Sequence, residues 1–195
     1  MSAAGLILAA GESLRMGFPK ALLRYHGQTF VDRLGCLMGA RCSPVIVVLG
    51  AAAEQIRAGA SCAATFVVNG DFARGQTSSM QCGLRAVPAD AEGVLFTLVD
   101  HPAVAAATID ALVAGSNGGA GPLLRVPRYR GRRGHPVWFA RALIAEFLAL
   151  PETGAAREVV QRHADETEFV DLDDPGIVAD IDDPEAYRLL TGGGA

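Results

Sequence analysis

The residues with the clearest chemical potential lie in one segment near the N-terminus, residues 8–20, which read Leu-Ala-Ala-Gly-Glu-Ser-Leu-Arg-Met-Gly-Phe-Pro-Lys. The small residues leave room for a ligand beside the backbone, where successive N–H groups can bind an anion. Arg15 and Lys20 add two positive charges to the same loop. Together these features indicate a site for a nucleoside triphosphate. The residues predicted to contact the nucleotide here are Leu8, Ala9, Ala10 and Gly11.

The spacing within this loop separates it from two common phosphate-binding motifs. A Walker A motif would need Gly-Lys-Ser/Thr after Gly-x-x-x-x, and that order is absent. Gly-x-Gly-x-x-Gly is absent as well, which disfavours a dinucleotide site. Small residues that only form a tight strand-to-helix turn would leave Arg15 and Lys20 without a role.

A second candidate is Asp100, which directly follows an apolar run at residues 93–99. A carboxylate at the end of a buried strand would lie at the carboxyl edge of the sheet, beside the first loop. Mg²⁺ is usually held by one or two carboxylates together with phosphate oxygens and water. Asp100 is therefore the predicted metal ligand. The alternative, an Asp that only caps the following helix, fits the same position.

These candidates need a scaffold that brings strand ends together, and the apolar runs of the chain predict one. The runs do not alternate with polar residues, which is typical of parallel strands covered on both faces. Helical patterns separate them, so the chain predicts an α/β fold, a three-layer sandwich with a mostly parallel sheet. The predicted strands are residues 5–9, 44–49, 65–68 and 93–99. The predicted helices are residues 30–38, 52–58, 78–87 and 108–114.

The second half of the chain does not continue this regular alternation of strands and helices. A Gly-rich stretch at residues 116–121 predicts a loop, and a helix with Pro in its first turn is predicted at residues 184–190. With no internal repeat and no long linker, we expect one domain over residues 1–195. Extended segments are predicted at residues 123–129, 136–139, 169–172 and 177–180, and further helices at residues 140–150 and 155–163.

Composition narrows the class of protein. Of 195 residues, 50% are hydrophobic and 19% charged, as in ordinary globular proteins. The net charge of −4 disfavours a nucleic-acid binder. The apolar N-terminal run is too short to span a membrane and lacks the layout of a signal peptide. Four cysteines without a Cys-x-x-Cys predict reduced thiols and a cytoplasmic protein, which we expect to be a monomer or a weak homodimer.

Residues 8–20 resemble the signature of the sugar-nucleotide and molybdopterin nucleotidyltransferase superfamily, Leu-Ala-Ala-Gly-x-Ser-x-Arg-Met-Gly-x-Pro-Lys. The resemblance continues through residues 69–84 and 98–102, and residues 133–137 and 180–185 are similar to segments typical of molybdenum cofactor cytidylyltransferases. The resemblance implies a Rossmann-like sandwich of the nucleotide-diphospho-sugar transferase type.

The resemblance also implies roles for single residues. One of Asp180 and Asp182 would complete the metal or acceptor site, and His135 and Arg133 would bind the acceptor. His101 is a departure, because family members often carry Gln or Met at that place, and its role is open. The residues implied to face the base and ribose are Asn69, Gly75, Gln76 and Ser79.

The activity implied is transfer of CMP from CTP to molybdopterin with Mg²⁺, or Mn²⁺ in its place, and with Arg15, Lys20 and Asp100 as the catalytic set. A molybdenum hydroxylase that receives the cofactor is the implied partner protein. The alternatives are a guanylyl- or sugar-phosphate nucleotidyltransferase and a non-catalytic maturation chaperone. Guanylyl-transferring relatives tend to have Gly in place of Ala10, and a carrier would not need all three charged residues.

Overall fold

An eight-stranded mixed sheet forms the centre of the computed structural model, which describes residues 3–114, 121–151 and 153–192. The loop predicted at residues 116–121 lies, except for its last residue, outside the described residues. The strands of this sheet are β1 (Ala3–Ala9), β4 (Cys42–Leu49), β5 (Thr65–Val68), β6 (Gly93–Leu98), β7 (Leu124–Tyr129), β8 (Arg132–Arg133), β9 (Val137–Ala140) and β10 (Thr167–Asp171), while β2 (Arg24–Tyr25) and β3 (Gln28–Thr29) form a separate two-stranded sheet. The helices are α1 (Phe30–Gly39), α2 (Ala53–Gly59), α3 (Gln76–Leu84), α4 (Ala106–Ala114), α5 (Ile144–Leu148), α6 (Ala156–Arg162) and α7 (Pro184–Leu190).

The strand order is β10-β7-β9-β6-β1-β4-β5, with β8 paired to β7 at one end of that strand. β1 pairs in parallel with β4 on one side and with β6 on the other, while β9 runs antiparallel between β6 and β7. The chain thus continues from β1 to β4 on one side and later adds β6 on the other side of β1. In such sheets ligands bind in the crevice outside the carboxyl ends of the strands, at the place where the strand order reverses.

Two apolar clusters cover the two faces of the sheet, which confirms the predicted three layers. On β1, Ile7 belongs to the cluster that contains residues of α1, α2 and α4. Leu6 and Leu8 belong to the cluster with residues of α3, α5 and α6. Neighbouring strand residues point to opposite faces, so an apolar run without alternation is what a doubly covered strand requires.

The extended segment predicted at residues 177–180 is wrong, because the chain forms a 3-10 turn at Pro175–Val178. Asp174 caps this turn by accepting a hydrogen bond from the N–H of Gly176 at 2.9 Å. The turn also packs very closely on its neighbour, since a Cβ on Gly176 would lie 2.3 Å from the carbonyl oxygen of Ala103.

Among the described residues, no helix combines the length and the apolar character that crossing a membrane would require.

Candidate active site

The loop after β1 is folded by its own backbone into a fixed shape. Ser13 has a left-handed φ of 54°, and its hydroxyl accepts a hydrogen bond from the backbone N–H of Lys20 at 3.1 Å. Gly17 is also left-handed, with a φ of 62°. Ser13 therefore ties the start of the loop to Lys20, a role that its place in the quoted signature could have suggested.

Lys20 joins the two acidic side chains at this edge of the sheet. Its Nζ lies 2.5 Å from Asp182 Oδ1 and 3.6 Å from Asp100 Oδ2. The side chains of Lys20 and Asp100 are only 15% and 18% exposed. Arg15 makes a longer contact with Asp182, at 3.9 Å, and is 77% exposed. Lys20 is therefore held in the site, whereas Arg15 is free to turn towards a ligand.

A cavity of about 510 Å³ opens beside this ionic cluster. Its volume lies within the range of small-molecule sites. The structure thus brings together predicted residues from four separate segments of the chain. Those that line the cavity are Leu8, Ala9, Ala10, Gly11, Arg15, Lys20, Gly75, Gln76, Ser79, Asp100 and Asp182.

The residues predicted to face the base occupy two different environments. Gly75 has a φ of 103°, which a side chain would strain, and it precedes the first turn of α3, where Gln76 begins the helix. Asn69 is buried and does not line the cavity, because its amide donates to the hydroxyls of Ser78 and Ser79 at 3.0 and 3.1 Å. Asn69 thus orients Ser79 instead of facing the cavity itself.

Asp100 is shared between the cavity and a histidine pair behind it. His101 Nδ1 lies 2.8 Å from Asp100 Oδ1, and the His101 ring meets the His135 ring edge to face at 4.9 Å. Burial raises the pKa of Asp100, but the hydrogen bond and charge of His101, with the Lys20 ammonium, outweigh burial and leave that pKa below its usual range. Burial and the neighbouring His101 lower the pKa of His135 to about 4. Asp100 is therefore a carboxylate and His135 a neutral ring at neutral pH.

Besides Asn69, three predicted site residues lie outside the cavity. Asp180 is exposed, because residues 175–178 form a turn and not the regular strand that would have aligned it with Asp182. Arg133 is exposed, and its guanidinium lies over the Phe169 ring at 4.7 Å. His135 packs behind His101. The acceptor-binding role predicted for His135 and Arg133 gains no support from the cavity.

The donor set around Lys20 fits a hard divalent cation. Asp100 and Asp182 present carboxylate oxygens to one ammonium group, so a cation can be held between these two side chains. Within the described residues, no three His, Cys, Asp or Glu side chains could hold a metal on their own. Hard divalent cations can be held by one or two carboxylates when phosphates and water supply their remaining ligands.

Comparison with known proteins agrees with this geometry. The profile of the MobA-like NTP transferase domain matches residues 5–167. The probable molybdenum cofactor guanylyltransferase of Opitutus terrae is 35% identical over 125 residues, which are 63% of this chain and only 59% of that protein. The molybdenum cofactor cytidylyltransferase of Escherichia coli is 25% identical over 184 residues, which are 93% of this chain and 92% of that protein.

A solved structure extends the likeness to the whole chain. Rv0371c from Mycobacterium tuberculosis H37Rv, in its complex with manganese, has a TM-score of 0.81 and 28% identity, over 100% of both chains. The family profile itself covers most of the sequence, from the first strand to the start of β10. The chain therefore belongs to the family of MobA-like NTP transferase domains and is a nucleotidyltransferase.

Proposed function

We propose that the chain transfers CMP from CTP to molybdopterin and releases pyrophosphate. The observation that carries this proposal is the contact of the Lys20 ammonium with both Asp100 and Asp182, in a cavity lined by the small residues at positions 9–11. One cation and two carboxylates beside small residues that line the cavity suit a triphosphate with a divalent ion. The E. coli cytidylyltransferase, which matches almost the whole chain, supports this base and acceptor.

In the proposed reaction a phosphate oxygen of molybdopterin attacks the α-phosphorus of CTP, in line with the departing pyrophosphate. Lys20 and Arg15 stabilise the negative charge that grows on the α-phosphate and on the leaving group. Lys20 is shielded from water. Its charge therefore acts more strongly on a bound ligand than it would in bulk solvent. Arg15 is exposed and can approach the bound phosphates from the cavity mouth.

Asp100 and Asp182 would hold a Mg²⁺ ion, which supplies charge neutralisation at the phosphates. Mn²⁺ is an alternative ion for the same oxygens, and the similar Rv0371c has been solved with manganese. Because Lys20 also contacts both carboxylates, it compensates part of their negative charge before the substrate enters.

A second candidate is guanylyl transfer from GTP, which the Opitutus relative favours. Ala10 was the sequence argument against it, since a methyl group there leaves less room for a purine. Ala10 is buried, and its methyl packs close to Gly50, where an added Cβ would lie 2.9 Å away. Part of this methyl therefore faces protein, so the size argument is weaker than the sequence suggested.

The test is pyrophosphate release from each of CTP, GTP, ATP and UTP, with molybdopterin and Mg²⁺ present. We expect release with CTP only, together with formation of the cytosine dinucleotide form of the cofactor. Release with GTP and not CTP would replace the proposal by guanylyl transfer. Binding of molybdopterin without any release would identify a carrier, and release only when a sugar phosphate replaces molybdopterin would reject molybdopterin as the acceptor.

A further inference from the structure

The two carboxylate oxygens of Asp100 have different partners. Oδ1 lies 2.8 Å from His101 Nδ1, and Oδ2 is the oxygen that faces the Lys20 ammonium at 3.6 Å in the cavity. A carboxylate only accepts hydrogen bonds, so the proton of this contact must reside on His101 Nδ1. Oδ1 of Asp100 therefore accepts a hydrogen bond from His101, and Oδ2 faces the cavity.

The His101 ring is itself held in place. Its side chain is only 8% exposed, and it meets the His135 ring at 4.9 Å with an interplanar angle of 77°. His135 in turn packs against the Phe96 ring of β6 at 5.6 Å. The backbone of the next residue, Pro102, is tied to α1, because its carbonyl oxygen accepts a hydrogen bond from the Arg33 side chain at 2.6 Å. The ring thus has neighbours on several sides that oppose its rotation.

We propose that His101 is a positioning residue that occupies Oδ1 of Asp100, so that Asp100 offers a divalent cation a single oxygen, Oδ2. This inference rests on the proposed function, in which Asp100 holds that cation. A single oxygen favours small ions. Mg²⁺ and ions of similar size prefer near-octahedral coordination, in which a carboxylate contributes one oxygen. Ca²⁺ takes more oxygens and often binds both oxygens of one carboxylate. His101 would therefore make the site selective against Ca²⁺.

The test measures binding of Mn²⁺ by electron paramagnetic resonance, with the non-hydrolysable analogue α,β-methylene-CTP present and Ca²⁺ added as competitor. Two variants form a matched pair of similar size. His101→Asn keeps an N–H close to the position of Nδ1, and His101→Leu removes it. We expect His101→Asn to resemble the wild type. We expect His101→Leu to bind Mn²⁺ about tenfold more weakly and to lose most of its preference for Mn²⁺ over Ca²⁺.

The outcomes separate this inference from the proposed function. If the wild type binds no Mn²⁺ with the analogue, the cation site of the proposed function fails. If the wild type binds Mn²⁺ and a folded His101→Leu variant keeps both the affinity and the preference, the positioning role alone is overturned.

A second measurement needs no variant. In ¹⁵N NMR spectra of the wild type, we expect Nδ1 of His101 to carry the proton. A neutral His101 protonated only at Nε2 would overturn the proposal, even if His101→Leu failed to fold.

Discussion

Asp180 and Asp182 lie two residues apart and carry the same charge, yet only Asp182 contacts Lys20 and Arg15. The difference arises at Ile181, which is buried and whose backbone N–H donates to the carbonyl oxygen of Asp100 at 2.9 Å. This hydrogen bond fixes the segment against the end of β6. The carboxylate of Asp182 therefore lies beside Asp100, while the carboxylate of Asp180 stays in solvent.

The two aspartates therefore form a matched test. We expect Asp182→Asn to lower kcat/KM at least about tenfold, or ~1.4 kcal/mol of transition-state stabilisation, because the site loses a charged oxygen ligand. The Mg²⁺ concentration needed for half-maximal activity should rise as well. Asp180→Asn should leave both quantities unchanged. Pyrophosphate release measured over a Mg²⁺ titration checks this, and equal losses in the two variants would contradict the assignment of Asp182.

At the residue scale, the sequence alone could group Arg15, Lys20 and Asp100, because a motif loop and a strand end meet at one edge of a parallel sheet. It could not choose between Asp180 and Asp182. That choice depends on a hydrogen bond between Ile181 and Asp100, which are far apart in the chain. Periodicity carries no information on such a contact.

At the scale of elements, the 3-10 turn at Pro175–Val178 organises the approach of the C-terminal segment to the cavity. Asp174 accepts hydrogen bonds from Gly176 N–H, from Ala105 N–H and from the Thr108 hydroxyl, so it ties the turn to the start of α4. Asp174 is buried, because these three donors compensate its charge.

Asp174 and Asp173 are the matched pair for this element. Asp174→Ala should lower the free energy of unfolding by about 2–3 kcal/mol, because it leaves buried donors without an acceptor. The exposed Asp173→Ala should change it by less than about 0.5 kcal/mol. Urea denaturation at neutral pH measures both. A loss below that of Asp173→Ala would show that the turn does not depend on its cap.

At the scale of the whole molecule, the fold follows from the apolar runs, which give parallel strands with helices on both faces. Sequence patterns did not establish that β9 inserts antiparallel between β6 and β7, since strand order depends on long-range packing. This order gathers the loop after β1, the start of α3, the end of β6 and the segment before α7 around one cavity. A ligand there contacts both the first and the last parts of the described chain.

That arrangement predicts strong coupling between ligand binding and global stability. At a hundred times its Kd, a ligand that binds only the folded state adds about 2.7 kcal/mol. For a domain of this size, each kcal/mol raises Tm by about 2–4 °C.

We therefore expect CTP with Mg²⁺ to raise Tm by about 5–10 °C, and either alone to raise it much less. The rise should shrink in Lys20→Met, which lacks the ammonium proposed to face the phosphates, and should be smaller with GTP. Scanning calorimetry with each combination checks this, and an undiminished rise in Lys20→Met would place the triphosphate elsewhere.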